Sequence, residues 1–327
     1  MTQKTTLPIL NEARLAQLNF PYSKVIEVVE NAFRSLHHPD SANPLKVIMT
    51  PQDGRSIAYS MAGRDAASNT VGFKVVYEYD PDRSRNQYQF YSFIFLCDDA
   101  TGHPVALMDV KELGPMRTSA TSALFAKYAV HSDAKHALVV GTGVQGQIAL
   151  PMLVTALPQL THLTVHGSYQ AGLEAVQQKL KAHHPQRHVA VSRDLEASVR
   201  QADVILAVTG LSAKENIKYE WLKPGAVVIL VGYGIEKSVL HRADRLLTTD
   251  AEQMKVTGDD LLDENGKLPA VDATLTEILN GEKPARTHPD EIIFVYNSGM
   301  IITDVALGRA VADFAITQEN VEEVTLW

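Results

Sequence analysis

Cysteine is almost absent from this chain. Cys97 stands alone among 327 residues, which excludes an intrachain disulfide and any zinc site built from cysteines. It follows the apolar run at 92–96, where a thiol reads as buried and inert rather than nucleophilic. Long apolar stretches are missing too. No run reaches the ~18 uninterrupted apolar residues of a membrane span, and the opening MTQKTTLPIL has none long enough for a secretory signal. A basic surplus is also lacking. Thirty Lys and Arg stand against 38 Asp and Glu, a formal charge of −8, whereas sequence-independent nucleic-acid binding needs a concentrated positive surface. Internal repeats and low-complexity tracts are not found. These absences point to a cytoplasmic globular protein with neither nucleic acid nor membrane among its partners.

What is present is ordinary in bulk and specific in detail. Hydrophobic residues make up 45% and charged residues 21%, a soluble globular balance, and the length suits two domains. The most informative stretch is ALVVGTGVQGQIAL at 137–150. A short apolar run meets a glycine turn, and an apolar-periodic segment follows from Val144. Gly141, Gly143 and Gly146 have the G-x-G-x-x-G spacing in a strand–turn–helix context. The first glycine permits the tight turn, the second admits a pyrophosphate against the backbone, and the third lets helix and strand pack closely. The helix start offers its unpaired N–H groups to phosphates. The alternative is a merely structural turn.

Ahead of that stretch, residues 21–38 have helical apolar spacing through Val25, Val28, Val29, Ala32, Phe33 and Leu36. Strands are predicted at 46–49, 57–61, 72–77, 89–96 and 104–108, with turn clusters at 50–54, 80–86 and 98–103. This is an α+β region with a meander-like sheet. Residues 116–130 return to a helical period. From Ala137 the pattern is βαβ, with strands at 137–140, 163–166, 189–192, 203–208 and 226–231 and helices at 144–157, 170–182 and 195–200. Such alternation means a doubly wound parallel sheet covered on both faces. Pro151 should kink the first of those helices. Further helices are predicted near 275–279 and at 299–316, with a strand at 292–295.

Several blocks carry a family resemblance: GFK at 72–74, DDATGHPVALMD at 98–109, MRTSATSALFAKY at 116–128 and GTGVQG at 141–146. QADVILAVTG at 201–210, LKPGAVVILVG at 222–232 and SGMIITDVALG at 298–308 continue in the same order. Together they resemble the ornithine cyclodeaminase/mu-crystallin family over nearly the whole chain. The resemblance implies an α/β architecture: a Rossmann dinucleotide-binding domain at 121–299, and a substrate-binding and dimerisation α+β domain at 1–120 with 300–327. It implies a homodimer, a nicotinamide cofactor, and a small amino or imino acid as substrate. Members include cyclodeaminases, alanine dehydrogenases, ketimine reductases, an amino-acid-condensing enzyme and a hormone-binding crystallin, so fold alone does not settle function.

By the resemblance, the substrate carboxylate is held by Lys46, Lys74 and Arg117. The chemistry agrees, since a carboxylate suits a guanidinium fork and ammonium point charges in a desolvated pocket. Lys74 interrupts an apolar run and Arg117 precedes small and apolar residues. Either both are held inside by a partner, or both snorkel to solvent. Lys46 stands where the family more often has arginine, which loosens the grip or alters the substrate. Thr118 either contacts phosphate or substrate, or caps its helix. Tyr233, in VGYGIEKS, occupies the position of the cyclodeaminases' catalytic aspartate. A phenol with a reference pKa near ~10 is a poor base at neutral pH, so Tyr233 either donates a proton to an imine nitrogen or walls the pocket. Asp304 either faces the substrate nitrogen or complements the dipole of its helix.

The cofactor side comprises Gly141, Thr142, Gly143, Val144, Gln145, Gly146, His166, Ser168, Thr209 and Gly210, with Thr118. The predicted second strand ends His166-Gly167-Ser168 with no carboxylate for the adenosine ribose. That favours NADP(H) and leaves NAD(H) open. No metal is implied. The main reading is an NAD(P)H-dependent oxidoreductase moving hydride to the α-carbon of an α-imino acid, with Lys74, Tyr233 and Asp304 as catalytic candidates. The alternatives are a redox-neutral ornithine cyclodeaminase, a condensing synthase and a ligand-binding protein.

Overall fold

The computed structural model describes residues 5–81, 89–210, 213, 215–318 and 321–326. The chain separates into two compact units, Met1–Arg117 with Met300–Trp327, and Thr118–Gly299.

The chain opens with strand β1 (Thr6–Leu10), helices α1 (Glu12–Ala16) and α2 (Tyr22–Ser35), and strands β2 (Val47–Met49), β3 (Ser56–Asp65), β4 (Thr70–Tyr79), β5 (Gln89–Asp98) and β6 (Pro104–Asp109). In α2 the periodic residues Val25, Ile26, Val29, Ala32 and Phe33 are buried, as an amphipathic helix requires. β3, β4 and β5 run five, four and two residues longer than the segments with clear apolar alternation. Long antiparallel neighbours hold one another by register even where side chains are polar. Of the turn cluster predicted at 80–86, residues 82–86 lie outside the described residues. Cys97 is half-buried rather than buried, because the β5–β6 pairing shifts register between Leu96 and Cys97. Burial, then Asp99, pushes its thiol up, away from the reactive thiolate.

Helix α3 (Leu113–Ala129) starts earlier than its apolar period indicates. Pro115 falls in the first turn, where a missing N–H does no harm. Arg117 and Thr118 therefore lie within the helix, and Thr118 is not its cap.

The second unit carries β7 (His136–Val140), α4 (Val144–Ala156), β8 (His162–His166), α5 (Gln170–His183), β9 (Val189–Ser192), α6 (Leu195–Gln201), β10 (Val204–Ala207), β11 (Val227–Leu230), α7 (Lys237–Arg242), β12 (Arg245–Thr248), α8 (Ala251–Thr257), β13 (Ala273–Thr274), α9 (Leu275–Leu279) and β14 (Ile293–Tyr296). Its eight strands are ordered β13-β12-β14-β11-β10-β7-β8-β9 and all pair in parallel. VILA and VVIL of β10 and β11 are buried throughout, as strands covered on both faces must be. The order reverses between β10 and β7, which opens a crevice at their carboxyl ends. α4 continues through Pro151 to Ala156, and the Pro151 carbonyl gathers the Thr155 hydroxyl at 2.9 Å and the His184 ring at 3.0 Å.

Helix α10 (Ile301–Ile316) and strand β15 (Glu322–Thr325) return to the first unit. Its sheet is ordered β15-β1-β6-β5-β4-β3-β2. α10 lies against β3, β4, β5 and β6 on one face. Glycine makes the approach possible: a Cβ on Gly72 would stand 2.5 Å from Val305, and one on Gly63 2.8 Å from Ile301.

Candidate active site

The close seat of α10 on β4 brings Asp304 to Lys74. In β4, Gly72, Lys74 and Val76 point to the buried face while Phe73, Val75 and Tyr77 point outward, the period-two alternation of a strand. Lys74 Nζ donates to Asp304 Oδ1 at 2.8 Å, and Arg117 Nε, from α3, donates to the same oxygen at 3.1 Å. The Lys74 and Arg117 side chains are 6% and 13% exposed, so neither snorkels to solvent. Lys46, half-buried just before β2, completes the group beside the Tyr59 ring.

Three cations thus face one carboxylate. Burial pushes the Lys74 ammonium below the usual lysine value; Asp304 opposes this and Arg117 adds to it. Burial alone would raise the Asp304 carboxyl, but Arg117 and Lys74 together hold it below the ordinary carboxylate range. Asp304 Oδ2 is buried with no hydrogen-bond partner among the described residues. A charge excess of this kind in a desolvated place is unfavourable unless an anion completes it.

The second unit supplies a different kind of site. Gly141, Thr142, Gly143, His166, Ser168, Thr209 and Gly210 line a crevice of about 430 Å³ at the carboxyl ends of β7, β8 and β10. Its turn fits a dinucleotide pyrophosphate. Gly141 has a φ of 119°, and a Cβ there would stand 2.8 Å from the Val208 backbone. A Cβ on Gly146 would lie 2.0 Å from the Gly141 carbonyl oxygen, whereas one on Gly143, which caps α4, would meet open space. Glycine is needed at the first and third positions for packing, and at the second it leaves room for a ligand over free helix N–H groups.

Thr142 is held between Gly167 and Gly172, where Cβ atoms would come within 2.6 and 2.5 Å of its side chain. Neither glycine carries a sequence motif for this role, although both punctuate the segment after β8. The sequence pattern alone is equally silent on Tyr169, 67% exposed at the start of α5, and on the exposed Glu215, which line the same crevice.

The remaining candidates are distributed less compactly. Val144, Gln145 and Gly146 form the first turn of α4, with Gln145 Oε1 accepting from Ser119 at 3.5 Å. His166 Nδ1 lies 3.4 Å from Ser192 Oγ. Thr118 is buried, and its carbonyl accepts from Asn297 at 3.0 Å; it is not among the crevice-lining residues. Tyr233, 40% exposed, bridges to Thr209 and lines a separate cavity of about 230 Å³ with Asn216 and Asp260. No group of residues suited to hold a metal occurs among the described residues.

Known proteins similar to this chain agree in extent. The nodulation efficiency protein NfeD of Rhizobium meliloti is 25% identical, covering 94% of each chain. The N-((2S)-2-amino-2-carboxyethyl)-L-glutamate dehydrogenase of Staphylococcus aureus is 24% identical over 91% of this chain and 92% of its own. The Delta(1)-pyrroline-2-carboxylate reductase of Thermococcus litoralis, solved with NADH and L-proline, shares the fold. Its TM-score is 0.82 at 22% identity, covering 97% of this chain and 100% of that one. The profile of the ornithine cyclodeaminase/mu-crystallin family matches residues 9–319, and the chain belongs to that family.

Proposed function

We propose that the protein is an NAD(P)H-dependent oxidoreductase that reduces an α-imino acid, of the cyclic ketimine or amino-acid dehydrogenase type. The observation that carries this reading is a cation group around the single carboxylate of Asp304: Lys74 and Arg117 bond it, and Lys46 stands near enough to feel its charge. An α-carboxylate entering that group neutralises the surplus charge, and Arg117 and Lys74 hold it by charge-assisted hydrogen bonds. The dehydrogenase and reductase activities named for the similar proteins are of this kind.

The nicotinamide, when bound, supplies hydride for the α-carbon. The chain supplies the proton. Lys74 Nζ carries it, and the fall in its pKa on burial makes the ammonium a stronger acid toward an imine nitrogen. Asp304 fixes the ammonium in position and offsets its charge before the proton leaves. Tyr233 is a second proton carrier or a pocket wall. The crevice along Gly141–Gly143 would hold the pyrophosphate, with Thr209 and Gly210, just past the end of β10, lining the same crevice. NADPH is preferred: the half-buried His166 ends β8 and the exposed Ser168 follows, so that the strand end has no carboxylate to bind the adenosine ribose hydroxyls or repel a 2′-phosphate.

The active form is a homodimer. The outer sheet face of the first unit shows Phe73, Val75, Tyr77, Tyr91 and Phe93, and the edge strand β2 shows Val47, Ile48 and Met49, all exposed. Apolar edges and faces of this extent are ordinarily covered.

Steady-state kinetics of Lys74→Met and Arg117→Met test the assignment. Arg117→Met is expected to raise KM for the imino acid by about 10²-fold, the loss of a charge-assisted pair. Lys74→Met is expected to lower kcat by about 10²–10⁴-fold, the usual contribution of a positioned proton donor. Unchanged kinetics in both variants would remove the cation group from the mechanism.

A further inference from the structure

Lys46 is the arm of the cation group that no carboxylate bonds among the described residues. Lys74 and Arg117 both bond Asp304. Among the described residues Lys46 makes no ion pair, and its ammonium lies 5.9 Å from the centre of the Tyr59 ring. Strand register explains the position. Val47 pairs with Ser60, and Met61 pairs with Lys74. Lys46, one residue before β2, therefore falls in the row of Met61 and Lys74 and on the same face of the sheet. The charged and titratable groups facing it are Tyr59 from β3, Lys74 from β4, Arg117 from α3 and Asp304 from α10. Two of these are cations, and the one carboxylate is already shared between them.

We propose that Lys46 is a proton-linked arm of the substrate site: the ligand's carboxylate supplies the counter-charge that the fold withholds, so binding is coupled to protonation of this lysine. The inference rests on the imino-acid reading above. Burial, then Arg117 and Lys74, bring Lys46 down to about 8 against the pull of Asp304. A carboxylate at the site raises it again.

The sign follows. Below about 8 the ammonium is charged with or without ligand, and affinity is flat. Between that value and the higher one in the complex, binding takes up a proton, and affinity falls by up to about tenfold per pH unit. Arginine at this position would keep its charge throughout, so lysine makes the site pH-dependent.

The test uses the full chain with saturating NADPH, and L-proline and L-pipecolate as probes, because a ring carboxylate and a ring secondary ammonium keep their charges while Lys46 titrates. Calorimetry in two buffers of different ionisation enthalpy reads Kd and proton uptake together. In the wild type, Kd is expected to be flat at the acid end and to rise about tenfold or more at the alkaline end, with proton uptake appearing over the same interval. Lys46→Arg should bind with a flat Kd and no uptake; Lys46→Gln should bind weakly and also flatly. A flat wild-type profile, or a Lys46→Arg variant that keeps the rise, overturns the linkage and leaves the reductase reading standing. Failure of both probes to bind at neutral pH overturns the imino-acid reading and the inference with it.

Discussion

Asp304 carries more of the site's electrostatics than any other residue, since two buried or nearly buried cations share its Oδ1. Asp304→Asn leaves those cations without a counter-charge and is expected to destabilise the protein by about 3–5 kcal/mol at neutral pH. The deficit should shrink at alkaline pH. Lys74 without its partner has a folded-state pKa still further below its unfolded value, so the unfolded state binds more protons between the two values and stability rises with pH there. Urea midpoints of wild type and variant at pH 7 and pH 9 measure this; an equal deficit at both would contradict it. Half of this arrangement is legible in the sequence. A lysine inside the apolar run at 71–76 demands a partner, but nothing local identifies one that lies 230 residues away. Asp304 by itself reads equally well as a helix-dipole aspartate, and it does lie in the first turn of α10 while bonding Lys74.

Two glycine contacts decide whether the elements can meet. Gly72→Ala places a methyl against Val305, which should lift α10 from β4 and loosen the Lys74–Asp304 bond. Overpacking of this kind costs about 1–3 kcal/mol, and the loss of imino-acid affinity should exceed that of an Ala substitution on the outer face of β4. In the glycine turn the positions separate. Gly146→Ala meets the Gly141 carbonyl and should lower Tm, whereas Gly143→Ala meets nothing in the protein and should leave Tm unchanged while weakening NADPH binding, read by nucleotide fluorescence titration. Equal NADPH affinity in Gly143→Ala and wild type would mean that the pyrophosphate does not lie there.

Several elements that the sequence does not announce have separate local causes. β15, EEVT, is exposed along its whole length, so it has no buried face to impose a period. β1 buries Leu7 and Leu10, but their spacing of three is not the period-two alternation that marks a strand. The start of α3 is hidden by Gly114 and Pro115, which read as breakers until the first turn is seen to tolerate them. In the second unit β7, β10 and β11 are clear because strands buried on both faces have no polar interruptions, whereas β12, four residues opened by Arg245, is too short to stand out.

For the molecule as a whole, the exposed apolar face and edge of the first unit set the expected assembly. Light scattering should give twice the 35.9 kDa of one chain. Tyr91→Glu with Val47→Glu should halve it without unfolding the second unit; a wild-type mass of one chain would contradict the dimer. The central claim concerns net chemistry, and absorbance at the nicotinamide band on purified protein tests it most directly. NADPH and NADH would be offered in parallel, each with five- and six-membered cyclic imino acids and with pyruvate plus ammonia. The account predicts stoichiometric cofactor oxidation, faster with NADPH, and formation of the matching amino acid. A flat trace with all of these, together with proline and ammonia formed from ornithine and NAD, would make the protein a redox-neutral cyclodeaminase and contradict the account.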